Sequence, residues 1–250
     1  MKVQKPLTLI ALLLGWSLLA QSATAAISLD RTRVVFNGTD KSQSLTIGNQ
    51  NKQWPYLAQG WIEDEQGNKI QSPLTVLPPV QRIEAGAQSQ IKIQALPEVN
   101  QLPQDRESVF YFNLREIPPK SDKSNTLQIA LQTRIKLFYR PAPIVITSAQ
   151  MATPPQEKLT LTQEGGNYVV NNPTPYYVTI VDAARGGDDG VKGFVPVMIP
   201  PKGQASLGVN TAVLGSAPVL SYVNDYGGRP QLKFICNGST CTATPVKEKR

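Results

Sequence analysis

Histidine is absent from this chain of 250 residues, and only two cysteines and three methionines occur. Without histidine, a serine or cysteine nucleophile lacks its commonest general base, and a zinc site would need more soft ligands than two cysteines supply. No stretch beyond the N-terminal leader is apolar enough to span a bilayer. Nothing in the chain shows the sustained 3.6-residue periodicity of a long amphipathic helix.

The leader itself is recognisable. Lys2 and Lys5 precede the apolar run LTLIALLLGWSLLA, and the small residues Ala23 and Ala25 suit secretory cleavage just before Ala26. Residues 1–25 are therefore read as a signal peptide, and the mature chain as soluble and exported. Taking Lys2 and Lys5 from the formal charge of +7 leaves +5, a moderate excess that favours an anionic partner, with nucleic acid made improbable by export. In an oxidising compartment Cys236 and Cys241, in CNGSTC, are expected to close a small disulfide loop, with Gly238 easing the turn.

What is abundant is β signal. Short alternating or β-branched runs recur, separated by Gly, Pro, Asn and Asp. Those at ISLDRTRVVF, SQSLTIGN, YLAQGWIED, LTVLPPVQRIE, SQIKIQAL and SVFYFNLREI, with the stretch LQIALQTRIKLFYR, give seven expected strands over residues 26–140. Seven strands with turns between them suggest an immunoglobulin-like sandwich. Pro141 and Pro143 read as a stiff elbow, and residues 141–250 carry the runs of a second β domain, with a charged tail from Thr244 expected to fray. The fold class is thus all-β, a sandwich followed by a second β domain.

The stretch from Leu127 to Arg140 is unusual. Leu127, Ile129, Leu131, Thr133, Ile135, Leu137 and Tyr139 fall on one face. A single strand from Leu127 to Tyr139 would extend roughly 40 Å, about twice the usual length, so either it bends or part of it packs on something else. The polar segment Pro118–Thr126 before it reads as a short hairpin loop. Arg33 and Lys136 each place a cation in a strand that otherwise looks structural. Acidic clusters at Glu63, Asp64 and Glu65 and at Asp188 and Asp189 sit beside turn residues, where solvated carboxylates are ordinary. Trp54, Tyr56 and Trp61 are expected to pack within the sandwich rather than to form a sugar platform.

Taken together, ISLDRTRVVFNG, PYLAQGWIED, LPPVQRIEAG, LPQDRESVFYFNLREIPPKS, the Leu127–Arg140 stretch and YVNDYGG resemble the periplasmic pilus chaperones of the PapD-like family. The resemblance implies two immunoglobulin-like domains in an L shape with a cleft between them. It implies donation of the seventh strand to pilin subunits that lack a strand of their own, with Leu127, Ile129 and Leu131 entering the subunit groove. It further implies that Arg33 and Lys136 clamp the subunit's C-terminal carboxylate, and that Glu107, Arg140 and Asp225 form an ion-pair network between the domains.

The implied partners are pilin subunits, the adhesin and an outer-membrane usher, with no cofactor, metal, catalysis, nucleic acid or membrane insertion. The short loop before the donor strand goes, in this family, with rod-building pili. The uncovered strand also suggests self-capping into a homo-oligomer when no client is bound. By strict alternation Lys136 points away from Leu127, Ile129 and Leu131, so a bulge, a twist or a long reach is expected to bring it to the client. Two rival readings are an exported carbohydrate-binding adhesin and a periplasmic enzyme using the Glu63 or Asp188–Asp189 clusters.

Overall fold

The structure, a computed structural model, describes residues 25–246 apart from 124, 187 and 188. The leader up to residue 24, Asp188 and the last four residues of the tail lie outside the described residues. Among those described, no helix is long and apolar enough to cross a membrane.

The first half forms β1 (Ile27–Leu29), β2 (Arg33–Asn37), β3 (Ser42–Asn49), β4 (Tyr56–Glu63), β5 (Lys69–Ile70), β6 (Leu74–Leu77), β7 (Val80–Ile83), β8 (Gln88–Ala95), β9 (Ser108–Ile117) and β10 (Gln132–Arg140). One sheet runs β1-β3-β8-β6; the other runs β2-β10-β9-β4-β5, with β7 also paired to β4. Inward residues of both, among them Phe36, Leu45, Ile62, Ile91, Phe112 and Leu137, share one core. This is the two-layer packing of a β-sandwich.

Seven runs were expected in this half, and two of them divide. The run from Ile27 to Phe36 changes sheets at Asp30–Thr32, since β1 pairs with β3 while β2 pairs with β10. The run from Leu74 to Glu84 divides at Pro78 and Pro79, which have no N–H to give a ladder; β6 pairs with β8 and β7 with β4. Strands that switch sheets make the corners of a sandwich. A one-dimensional apolar pattern is the same on either side of such a corner, so it reads as one strand. The short β5 carried no signal of its own.

After a 3-10 turn at Ala142–Ile144, a short helix at Ser148–Met151 and a second 3-10 turn at Pro155–Lys158, the second half forms β11 (Thr160–Glu164), β12 (Asn167–Asn172), β13 (Val178–Arg185), β14 (Val197–Ile199), β15 (Gly203–Asn210), β16 (Pro218–Tyr222), β17 (Gln231–Asn237) and β18 (Thr240–Pro245). These make one continuous sheet, ordered β14-β13-β16-β17-β18-β11-β12-β15, folded round a second core that includes Leu159, Leu161, Tyr168, Ile180, Leu220 and Phe234. The tail expected to fray from Thr244 is strand through Pro245, because β18 pairs with both β17 and β11. Cys236 and Cys241 face each other directly across the β17–β18 hairpin and are joined by a disulfide, with Gly238 at φ 65° in the turn.

Gly60, in the middle of β4, is closely approached by side chains of the facing layer of the first sandwich. A side chain there would meet Ile91 and Val76 from the facing sheet, and Ile91 is fully buried with nowhere to move. Gly60→Ala is expected to lower stability by about 1–3 kcal/mol, seen as a lower urea midpoint with an unchanged slope.

Candidate functional site

β10 holds the site together because each of its faces and edges has a different neighbour. Its register with β9 is unbroken from Gln132↔Arg115 to Tyr139↔Ser108, so no bulge turns it. Ile135, Leu137 and Tyr139 enter the first core. The alternate residues Lys136, Phe138 and Arg140 face the second half of the chain: Phe138 stacks on Tyr177 with ring centroids 5.7 Å apart, and Lys136 Nζ donates to Thr179 Oγ1 at 3.0 Å. The bulge, twist or reach expected for Lys136 is therefore not needed. Ordinary alternation carries it to the junction between the two cores.

Upstream, the expected single strand from Leu127 is corrected. The regular strand register begins at Gln132, and Leu127, Ile129 and Leu131 are 85%, 66% and 39% exposed. The reason lies in the facing strand. β9 ends at Ile117, and continuing its register would set Pro118 opposite Ile129 and Pro119 opposite Gln128. Prolines cannot donate to a ladder; in its place the Gln128 side chain donates to the Pro119 carbonyl at 2.6 Å. The connection between β9 and β10 thus spans residues 118–131, longer than the hairpin loop expected at Pro118–Thr126.

The opposite edge of β10 is also open along part of its length. β2 pairs with β10 in parallel, beginning at Arg33↔Lys136 and ending at Asn37↔Arg140. Before Lys136, β10 and the segment leading to it have no neighbour on that side among the described residues. The open edge stops where Arg33 starts the next strand.

This register makes Arg33 and Lys136 side-by-side neighbours. Both are partly buried, and both are held from the second half by neutral acceptors: Arg33 Nη1 donates to the Val223 carbonyl at 3.2 Å and Lys136 to Thr179. The Arg33 guanidinium also lies 6.0 Å from the Phe138 ring centre, while its Nε is buried without a partner. Burial, reinforced by the Arg33 charge, pushes the Lys136 ammonium down to about 8. Burial likewise lowers Arg33, with the charges of Asp225 and Glu107 opposing it. Two like charges held together in a half-buried place make a receptor for an anion.

Arg140, four residues further along β10 on the same face as Lys136, is a contrasting case. Its Nε donates to Glu107 Oε1 at 2.8 Å, and Nη1 and Nη2 grip the Asp225 carboxylate at 2.8 and 3.1 Å. Its guanidinium lies 4.7 Å from the centre of the Tyr176 ring. Glu107 is fully engaged as well, since its Oε2 accepts from Tyr177 N–H at 2.8 Å and its own N–H donates to the Pro175 carbonyl at 2.9 Å. Burial pushes the Glu107 carboxyl up to about 7, with the Arg140 charge and the Tyr177 N–H pulling the other way. Glu107, Arg140 and Asp225 thus meet in space and bridge the two halves.

The other candidates disperse. Trp54 is exposed and Trp61 faces outward between Lys69 and Arg115, so neither packs in the core as expected; only Tyr56 leans on it. Glu63 is engaged by Trp61 and Arg134, at 2.8 and 2.9 Å, and Asp64 by Asn68. Among the described residues no group of three acidic or sulfur side chains could hold a metal. Among the buried charged residues Glu116 went unnoticed in the sequence, on the inward face of β9 after Phe110, Phe112 and Leu114. The break in that apolar alternation was its signal.

The structure thus combines two sandwich-like domains, an open strand edge and a cationic pair at its end. Family comparison gives the class: residues 26–145 match the N-terminal domain of PapD, described as a pili and flagellar-assembly chaperone, and residues 154–234 match the C-terminal domain of the pili assembly chaperone PapD. The chain belongs to this family and is a pilus-assembly chaperone. It is 55% identical over 245 residues to the probable fimbrial chaperone YfcS of Escherichia coli K12, covering 98% of this chain and 95% of that protein. With the chaperone protein PapD of Escherichia coli it shares 51% over 227 residues, 90% and 92% of the two chains. The crystal structure of the periplasmic chaperone SfaE superposes with a TM-score of 0.67 at 30% identity, over 84% of this chain and 100% of that one.

Replacing Arg140 by the similarly long but uncharged methionine strands Glu107 in the junction without its cation. Arg140→Met is expected to cost about 3–5 kcal/mol. Chemical denaturation checks the loss, and cross-linking between the two domains should report a looser junction.

Proposed function

We propose that this chaperone works by strand donation, with residues 26–140 carrying the donor strand and residues 141–250 forming the second wall of the subunit site. Chaperone–pilin pairing of this kind is strand addition to an exposed edge, in which backbone hydrogen bonds give affinity and alternate side chains fill pockets. The observation that carries the proposal is the register of β2 against β10. The open edge runs from Leu127 to Ile135 and stops at Arg33 and Lys136. A pilin strand lying in line with β2 and parallel to β10 would run along that edge and end at the two cations. Its terminal carboxylate would be the anion bound between them.

Leu127, Ile129 and Leu131 would fill the groove left by the subunit's missing strand. Burying the three side chains contributes about 5–9 kcal/mol gross, against about 4–15 kcal/mol for lost translational and rotational freedom. The backbone ladder and the carboxylate anchor therefore supply the balance. Glu107, Arg140 and Asp225 set the angle between the walls. In this reading the protein is not an enzyme. It acts in the periplasm on pilins and the adhesin and passes them to an outer-membrane usher without nucleotide. Without a client, two copies cover each other's Leu127–Leu131 segment.

Co-purification of a pilin lacking its last strand tests the anchor. Arg33→Ala and Lys136→Ala should each weaken the complex by about 2–5 kcal/mol while remaining folded; retention of native affinity by both would overturn the carboxylate clamp. The pH dependence has a definite sign. Lys136 is cationic below about 8 and loses its charge above it, so pilin affinity should fall as pH rises from 7 to 10. A bound carboxylate favours the charged lysine and moves the fall upward. Lys136→Arg should abolish that dependence in the same titration.

A further inference from the structure

Glu116 is a carboxylate where the sandwich calls for an apolar side chain. It is 5% exposed, and it follows Phe110, Phe112 and Leu114 on the core face of β9. No cation lies within ion-pair distance of it among the described residues. Backbone N–H groups occupy both of its oxygens: Oε2 accepts from Ile27 at 3.0 Å and Oε1 from Leu131 at 3.3 Å. A buried carboxylate is costly unless its oxygens are hydrogen-bonded, so this one is committed to two specific donors. They belong to the start of β1 and to the last exposed residue before β10.

The bond to Leu131 alters the ladder. The Glu116 N–H donates to the Leu131 carbonyl at 3.0 Å, which makes Leu131 and Glu116 a hydrogen-bonded antiparallel pair. Such a pair normally exchanges two backbone bonds. Here the second is redirected, since the Leu131 N–H goes to the carboxylate of Glu116. Pro118 and Pro119 prevent the ladder from resuming further on. The last rung is thus half backbone and half side chain, and Ile129 and Leu127 leave the sheet beyond it.

We propose that Glu116 is a positioning residue that ends the β9–β10 ladder at Leu131, fixing where the strand offered to a pilin begins and tying that root to the first strand at Ile27. The proposal rests on the strand-donation reading and adds a residue to it that touches no client atom. Ionised, the carboxylate presents two acceptors and no donor. Glutamine has nearly the same shape but turns an NH₂ group toward one of the two N–H groups, so it can satisfy only one of them.

The test uses the full chaperone in two measurements. Amide exchange followed by NMR compares native protein with Glu116→Gln. Exchange at Ile27, Leu131 or both should accelerate about tenfold, as expected for a lost charge-assisted hydrogen bond, while Phe112 and Leu137 in the same strands keep their native rates. Capture of a strand-deficient pilin should slow by a similar factor with Arg33 and Lys136 unaltered. Should Glu116→Gln not fold, Glu116→Asp gives the same comparison, because its carboxylate is one methylene shorter and cannot reach both N–H groups. Unchanged exchange at both amides overturns the clasp, as does accelerated exchange with pilin capture at the native rate, which would make Glu116 a structural cap alone. Loss of capture in Arg33→Ala with none in the glutamine variant leaves strand donation standing and removes Glu116 from it. Native protein that captures no pilin overturns strand donation and the positioning role together, while the exchange data still report whether the clasp exists.

Discussion

Side chains alternate along a strand, and in β10 that alternation couples everything else. Ile135, Leu137 and Tyr139 belong to the first core, so Lys136, Phe138 and Arg140 have to face outward, toward the second domain. Any slip of one residue would exchange the two sets, burying a lysine and an arginine in an apolar core. Packing of the first sandwich therefore fixes the electrostatics of the junction. The same register aligns β2, and with it Arg33, beside Lys136.

Two arginines and a lysine meet at this junction with different partners, and the difference separates scaffold from site. Arg140 has two carboxylates and an aromatic ring, and its partner Glu107 is bonded on every side. A group satisfied in that way binds nothing further and serves to hold an angle. Arg33 and Lys136 have neutral acceptors only, and one Arg33 nitrogen is buried without any. Charges kept partly desolvated and close to each other retain a large unspent attraction for an anion. Arg33 and Lys136 lie only a few residues from Arg140 along the paired strands, so the bridging network sits directly beside the proposed anion site.

An open strand edge with an apolar face is a hazard, because it templates pairing with any other edge. This protein confines the hazard to a short length. Pro118 and Pro119 prevent β9 from covering the segment Leu127–Ala130, and β2 covers the edge of β10 from Lys136 onward. Between those limits the backbone donors and acceptors are available. The Glu116 carboxylate lies at the boundary, holding the last paired residue and the start of β1 through one buried group.

Much of this was legible in the letters. The all-β class, the Cys236–Cys241 staple and the apolar face from Leu127 to Tyr139 all follow from residue types, spacing and period-two alternation, which are local properties. The sheet switches at Asp30–Thr32 and at Pro78–Pro79 were not legible, because an apolar run looks the same on either side of a corner. Nor was the point where the long stretch stops being a strand. That depends on which residues of β9 lie opposite it, and the prolines that end the pairing are some ten residues away in sequence. Alternation alone put Lys136 on the face opposite Leu131, and seemed to require a distortion. Only the tertiary structure, by setting the second domain against that face, made the distortion unnecessary: sequence determines the side of a strand on which a residue stands, whereas folding decides what lies across from it.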